Sequence, residues 1–240
     1  GAQAIKGARV DSGEPKMGPL VNPGTYTLKL KVGGQTLTTK LEVRLYARTI
    51  PMDVFMRMTA KQLKSHQAPS DGDELRHVLS ELNEQIELAL KIRDDITRLA
   101  RTVEQLRIVK AQLVARNALL KDDARAKSLV ESSRGLLTQL DTLEEKLHNP
   151  KAKIVYDILA QKGGARLYSQ LVWLFEMMKD SDGTPTQGIR EVFAEQTELL
   201  RKYQEEWRTL VSKDLAALNE QAKKLDMPAV VVPTTTTKTD

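Results

Sequence analysis

A stripe of apolar residues runs through the middle of the chain, with no proline or glycine between Asp73 and Leu120. Apolar positions recur there at a mean spacing of about 3.5 residues, the heptad value of packed helices. They are Leu75, Leu79, Leu82, Ile86, Ala89, Ile92, Ile96, Leu99, Val103, Leu106, Val109 and Leu113. The stripe predicts one helix of roughly 70 Å. Such a helix needs a neighbour of similar length to cover its apolar side.

Three further helical stripes follow, over 124–150, 165–179 and 185–225. The last begins with a start signal in which Thr184 is the predicted N-cap and Gln187 its capping-box partner. The predicted arrangement is an elongated antiparallel four-helix bundle. Two of its helices are full-length, and two shorter ones share the remaining length.

Before the helices, residues 26–32 alternate strictly between apolar and polar side chains, which is typical of a strand. Gly33 and Gly34 suit a two-residue turn, and a return strand follows. The return strand places its apolar residues on one side: Leu37, Leu41, Val43 and Leu45. Because an isolated hairpin is marginal in water, this one must pack on the helices or belong to a larger sheet.

The predicted fold class is therefore mainly α, with a small N-terminal β-hairpin or partial Ig-like sheet. We expect a β region with its connector over residues 1–66, the helical bundle over 67–228 and a disordered tail over 229–240. Within 47–70, a methionine-rich group is either a connector or a pliable docking patch. Its members include Met52, Phe55 and Met56.

Composition removes several classes of function. The chain has no cysteine, so thiol catalysis and cysteine-based zinc sites are excluded. Residues 1–66 carry 11 basic and 4 acidic side chains, but aromatics are not interleaved with them, and we expect no nucleic-acid partner. No apolar run of about 18 residues exists, so we expect no membrane span.

No pattern in the sequence indicates a catalytic, metal or cofactor site. The HExxH, G-x-S-x-G and P-loop motifs are absent. An EF-hand reading of Asp180 to Gly183 fails because the first and last ligand positions fall on Met178 and Ile189. We expect surface positions for the three histidines, His66, His77 and His148. We expect solvated faces for the paired acids Asp94-Asp95, Asp122-Asp123, Glu144-Glu145 and Glu205-Glu206.

Aromatic residues are few, but several fall where the third and fourth helices are expected to meet. They are Tyr168, Trp173, Phe175, Tyr203 and Trp207. They form either a platform that stacks on a glycan or a part of the bundle core. The first interpretation makes Tyr168, Trp173, Tyr203 and Trp207 candidate ligand residues.

Several stretches, in their order along most of the chain, resemble the end of large bacterial sortilin-like or glycosyl-hydrolase-like BNR (Asp-box) propeller proteins. One is Gly18-Pro19-Leu20-Val21-Asn22-Pro23-Gly24-Thr25-Tyr26-Thr27-Leu28, followed by Gly33-Gly34-Gln35 and Leu41-Glu42-Val43-Arg44. The others are Ala89-Leu90-Lys91-Ile92-Arg93-Asp94, Gly183-Thr184-Pro185-Thr186, Asp214-Leu215-Ala216-Ala217-Leu218-Asn219 and Leu225-Asp226-Met227-Pro228-Ala229.

The resemblance implies Ig-like strands followed by a helical C-terminal region, an exported parent protein (periplasmic, surface or secreted) and further strands before Gly1. No matched motif is catalytic, and no Asp-box is present. The leading hypothesis is a non-enzymatic spacer or docking module that contacts the propeller of the same parent or another protein. One alternative is a carbohydrate-binding or hydrolase-associated accessory region. Another is a coiled-coil homodimer, although a monomer is expected.

Overall fold

A computed structural model describes residues 1–10, 13–44, 72–153, 163–181 and 183–233, without the side chains of 72–78. It is mainly helical with one small antiparallel hairpin, which confirms the predicted fold class. The strands are β1 (Gly24–Val32) and β2 (Gln35–Val43). The helices are α1 (Gly72–Leu119), α2 (Lys127–Leu147), α3 (Leu167–Lys179), α4 (Gln187–Thr209) and α5 (Ala216–Lys223). A π-helical segment, Leu210–Leu215, joins α4 and α5 into one continuous rod.

The helices form three rods around one core. α2 runs antiparallel to the second half of α1, as the contacts of Arg107 with Glu144 and of Lys110 with Asp141 show. α3 continues in the direction of α2 along the first half of α1. The rod of α4 and α5 runs parallel to α1, because its partners ascend together: Arg190 with Glu84, Thr197 with Asp95 and Gln204 with Thr102.

The apolar stripe of α1 is the centre of the core. Its members from Ile92 to Leu113 are almost completely buried, together with Leu140 of α2 and Phe175 of α3. The heptad spacing therefore reflects the packing of α1 against other helices of the same chain. Over that span, α1 has no apolar stripe left for a second copy, so the structure does not support a coiled-coil dimer through this helix.

The predicted hairpin is confirmed as far as Val43, and Leu45 of the predicted return strand lies outside the described residues. Nine residues of each strand pair in one uninterrupted antiparallel register, from Gly24 opposite Val43 to Val32 opposite Gln35. Both turn residues, Gly33 and Gly34, have positive φ angles of 55° and 82°. Glycine adopts these angles without a steric penalty, and a turn of this kind matches the twist of the strands.

One side chain caps α4, and another caps the short 3₁₀ turn, Ala124–Ala126, that leads into α2. Asp123 accepts a hydrogen bond from the backbone N–H of Arg125 at the turn before α2. Thr184 is not the N-cap of α4. That position belongs to Thr186, whose Oγ1 accepts from the backbone N–H of Ile189 at 3.3 Å. Two threonines two residues apart offer the same capping chemistry, so the sequence alone does not distinguish them.

The π-helical segment coincides with an irregular step in the apolar pattern of the rod formed by α4 and α5. Leu210 and Leu215 are both buried although five residues separate them. Five residues in an α-helix turn a side chain well away from its starting face. The wider i→i+5 turn of a π-helix keeps both leucines toward α2.

This explanation predicts that deletion of Ser212 is tolerated. The deletion leaves four residues from one leucine to the next, which an ordinary α-helix accommodates. We expect a melting temperature within about 3 °C of the parent by circular dichroism. Deletion of Ala217 is the matched control, because it rotates Leu218 and Ala222 out of the core and should lower the melting temperature much further. Equal effects would contradict the explanation.

The N-terminal segment packs into the helical core, which the sequence did not predict. Ala2 and Ile5 are buried, and the backbone N–H of Ile5 donates to the hydroxyl of Tyr168 at 3.3 Å. This segment had been grouped with the β region of residues 1–66. The boundary of that region falls outside the described residues.

The predicted start of the disordered tail, at residue 229, is too early. Val230 is buried and exchanges two hydrogen bonds of 2.9 Å with the side chain of Asn219. The side-chain amide of Gln112 on α1 accepts a hydrogen bond from the backbone N–H of Val231 and donates one to the carbonyl of Val231. The chain is thus fastened to α1 as far as Pro233, and residues 234–240 lie outside the described part.

Candidate functional site

The apolar face of the hairpin is the most distinctive surface in the described part of the chain. Its large aliphatic side chains are 45–62% exposed: Leu28, Leu30, Val32, Leu37 and Leu41. Because side chains directly opposite in an antiparallel pair share a face, Leu30 and Leu37 lie side by side, as do Tyr26 and Leu41. The face is thus mainly apolar along the hairpin, with Thr39 opposite Leu28 and Gln35 opposite Val32, and no described helix covers it.

The opposite face of the hairpin is polar and basic. Cross-strand pairs there join threonine to lysine, namely Thr27 with Lys40, Lys29 with Thr38 and Lys31 with Thr36. In the described residues the sheet has only two strands, so the outer edge of each strand has no strand partner. Such a hairpin is amphipathic like one layer of a β-sandwich.

Among the described residues, a hydrogen bond at its base joins the hairpin to the bundle. The side-chain amide of Asn22 donates to Asn83 of α1, and the hydroxyl of Tyr26 donates to the carbonyl of Asn22 at 2.6 Å. This places the hairpin beside the first turns of α1, at the end of the bundle where α3 ends and α4 begins. The apolar face is consequently free of the core.

The four candidate aromatic residues do not form a platform. Tyr168 and Trp207 are buried in the core, with Trp207 only 7% exposed. Trp173 of α3 is 46% exposed, and Tyr203 of α4 is half-buried. The side chains are thus divided between core and surface, and Trp173 and Trp207 are not exposed side by side. The remaining candidates, Met52, Phe55 and Met56, lie outside the described residues.

Tyr203 does line a shallow cleft of about 320 Å³ between α2, α4 and the start of α3. Its other polar side chains are those of Thr142, Glu145, Lys146, Arg166 and Gln170. The ammonium of Lys146 lies 5.8 Å from the centroid of the Tyr203 ring and is bound to a carboxylate of α4. The ring is therefore partly engaged within the protein.

A buried charge network joins α1 to α2. Glu144 is 5% exposed and accepts hydrogen bonds from Arg107 Nε at 2.7 Å and Lys110 Nζ at 2.8 Å. His148, 2% exposed, has its Nε2 atom 2.9 Å from Glu144 Oε1 and 3.0 Å from Arg107 Nη2. Arg107 Nη1 also donates to the carbonyl of Lys6 at 2.7 Å. The network thus ties the N-terminal segment to both helices.

Electrostatics favour the charged forms of Glu144 and Lys110. Burial alone raises the pKa of the Glu144 carboxyl, but hydrogen bonds from His148, Lys110 and Arg107 outweigh burial and hold that pKa well below its usual range. For Lys110, burial lowers the pKa, but hydrogen bonds to Asp141 and Glu144 outweigh it and raise the pKa above normal. Arg107 reaches two oxygen acceptors, with Nε on Glu144 and Nη1 on the carbonyl of Lys6, so the group acts as a structural clamp.

Sequence reasoning missed this network. His148 was expected at the surface and Glu144 in a solvated pair, but both are buried, and so is Asp95. A signal was present, since Leu136, Leu140, Glu144 and His148 follow one another at intervals of four and share a face of α2. Of the other histidines, neither the whole of His66 nor the side chain of His77 is described.

In the described ranges, no three His, Asp or Glu side chains are grouped so that they could hold a metal ion. Within the same ranges, no helix combines the length and the apolar character that crossing a membrane requires.

Comparisons with protein-family models, curated proteins and solved structures found no match for this chain. The resemblance to BNR propeller proteins consequently stays a prediction from the sequence motifs. The functional argument rests on the geometry of the surfaces described above.

Proposed function

We propose that this chain is a non-enzymatic interaction module, the C-terminal part of an exported propeller protein. Its bundle serves as a rigid spacer, and the apolar face of the hairpin is the docking surface for a β-sheet domain of the same polypeptide. The observation that carries the proposal is the exposure of five large aliphatic side chains on one face of an otherwise regular hairpin.

A sheet is the partner that this face fits best. The register has no bulge, so the side chains of this face form two straight parallel rows, of which the β1 row from Tyr26 to Val32 is apolar throughout and the β2 row also contains Thr39 and Gln35. Sheets that pack face to face interdigitate such rows, with the polar side chains of each layer turned to water. The threonine and lysine pairs on the other face of this hairpin suit that outer position.

The area of the face favours a partner on the same polypeptide over a separate molecule. Nine residues per strand and two strands give a footprint of roughly 30 by 10 Å, or about 300 Å². Stable complexes between separate proteins bury about 800 Å² on each partner. A second copy of this chain that docked on this face would likewise bury too little area for a stable complex. Covalent linkage overcomes it by raising the effective concentration of the partner.

A carbohydrate-binding accessory function is the second candidate, and the cleft beside Tyr203 is the observation that favours it. Its support is weaker, because Tyr168 and Trp207 are buried and Lys146 already engages the Tyr203 ring. A glycan at this cleft should change the emission of neither tryptophan, since neither of them lines it.

We expect the double substitution Leu30→Lys and Leu37→Lys to leave residues 1–240 as stable as before. Both side chains are about 60% exposed there and pack against no helix. In the polypeptide that contains the partner sheet, the same change would bury two lysines and should lower the melting temperature by at least about 4 °C. Differential scanning calorimetry of both proteins measures the two effects.

The matched control exchanges the polar pair, Lys29→Thr with Thr38→Lys, and should be neutral in both proteins. A large loss of stability in residues 1–240 alone would mean that the apolar face packs within this chain. Tolerance of the lysine pair in the longer polypeptide would contradict docking through this face.

A further inference from the structure

Arg116, in the last turn of α1, is a buried cation with almost no partners. Only 5% of the residue is exposed, and its Nη1 donates to the carbonyl of Pro228 at 3.2 Å. Nε and Nη2 are buried and have no hydrogen-bond partner. Burial lowers the pKa of this guanidinium. No carboxylate of the described residues forms an ion pair with it, although the carbonyls at the end of α1 offset part of its charge.

The two unpaired donors lie on one edge of the guanidinium. The N–H groups of Nε and Nη2 point in the same direction and match the two oxygens of a carboxylate or phosphate. Two exposed arginines of this chain use that edge. Arg201 donates from Nε and Nη2 to the two oxygens of Glu198 at 2.8 and 2.6 Å, and Arg125 does so with Asp123 at 3.1 and 2.8 Å.

Sequence spacing supports the view that this arginine occupies a core position. Val109 and Leu113 are buried on α1 and Leu120 is buried just after its end. Arg116 lies between Leu113 and Leu120 at the spacing of the stripe. An unpaired buried cation is strongly destabilising, whereas an apolar residue of similar volume is not. A bidentate anion would remove that penalty.

We propose that Arg116 is the centre of an oxyanion-binding site, with Nε and Nη2 as the fork that holds a carboxylate or a phosphate group. The segment from Leu225 to Pro233 covers the site. That segment is fastened mainly by side-chain amides, through the bonds of Asn219 with Val230 and of Gln112 with Val231. Its displacement admits the anion, at the expense of the core contacts of Val230.

Thermal unfolding in different salts tests the site. Sodium phosphate and sodium acetate are compared with sodium chloride at equal ionic strength. We expect phosphate or acetate, at a concentration tenfold above its Kd, to raise the melting temperature of the parent by about 3 °C. Arg116→Met should lose this rise and, in chloride, should be at least as stable as the parent. Arg125→Met, which removes an arginine that already has a carboxylate partner, should respond like the parent.

A rise with phosphate alone assigns a phosphate ligand, and a rise with acetate alone assigns a carboxylate. Equal rises in the parent and in Arg116→Met, or no rise in the parent, would overturn the proposal. A second readout needs no stable Met variant. The Nε–H resonance of Arg116, identified by its loss in Arg116→Lys, should shift during a phosphate or acetate titration more than the other arginine resonances. Uniform shifts in all arginines would mean that the anions act only by screening.

Discussion

Replacing Glu144 with alanine should lower the free energy of unfolding by about 3–5 kcal/mol. The carboxylate is the shared acceptor for Arg107, Lys110 and His148 between α1 and α2. Its removal leaves Arg107 partly buried without a carboxylate partner and leaves Lys110 with Asp141 alone. Urea unfolding followed by circular dichroism measures the loss.

The neighbouring Glu145 is the control. In the described part of the chain it forms an ion pair with Lys151 at 3.0 Å, and both side chains are largely exposed. Surface pairs of this kind contribute about 0–1 kcal/mol, so Glu145→Ala should be nearly neutral. Similar losses for the two substitutions would contradict the clamp at Glu144.

The clamp also predicts how stability changes with pH. The pKa of Glu144 is lowered in the folded protein, so the unfolded chain binds its proton more readily. The stabilisation is therefore complete above about pH 5 and decreases as the pH falls below the unfolded value near 4.3. Between pH 5 and 3 the parent should lose more stability than Glu144→Gln, which has no carboxyl to protonate. Parallel curves would contradict this.

The two tryptophans should respond very differently to replacement by alanine. Trp207 is buried in the core, and its loss should cost about 3–5 kcal/mol of unfolding free energy. Trp173 on α3 is about half exposed, and its replacement should lower the free energy of unfolding by less than about 1 kcal/mol. Equilibrium unfolding of the two variants compares the same residue type in opposite environments.

Fluorescence provides the check on that comparison. In Trp173→Ala the remaining emission comes from buried Trp207 and should lie at shorter wavelength than the emission of Trp207→Ala. Equal unfolding losses together with equal emission maxima would mean that both rings share one environment, as a joint platform requires.

The regular elements were predictable because each follows from a local period. The stripe from Ile92 to Leu113 defines α1, and the alternation around Gly33 and Gly34 defines the hairpin. The sequence also showed that the hairpin has one apolar face. Whether a helix covers that face depends on tertiary placement, which the alternation of side chains does not contain.

The irregular features escaped prediction for the same reason. Glu144 and Arg116 are charged residues on buried helix faces, and composition alone assigns charged residues to the surface. The π-helical segment appears in the sequence only as one step of five residues between Leu210 and Leu215. In each case the apolar spacing carried the signal, and residue type obscured it.

The most direct test of docking through the hairpin is photo-crosslinking in the cells that make the protein. A benzophenone amino acid replaces Leu30 on the apolar face or, as the control, Lys29 on the polar face. The account predicts a strong adduct from position 30 to a β-strand of the same polypeptide, identified by mass spectrometry, and little adduct from position 29. An adduct from position 30 to the helices of this chain, or equal yields from both positions, would contradict the account.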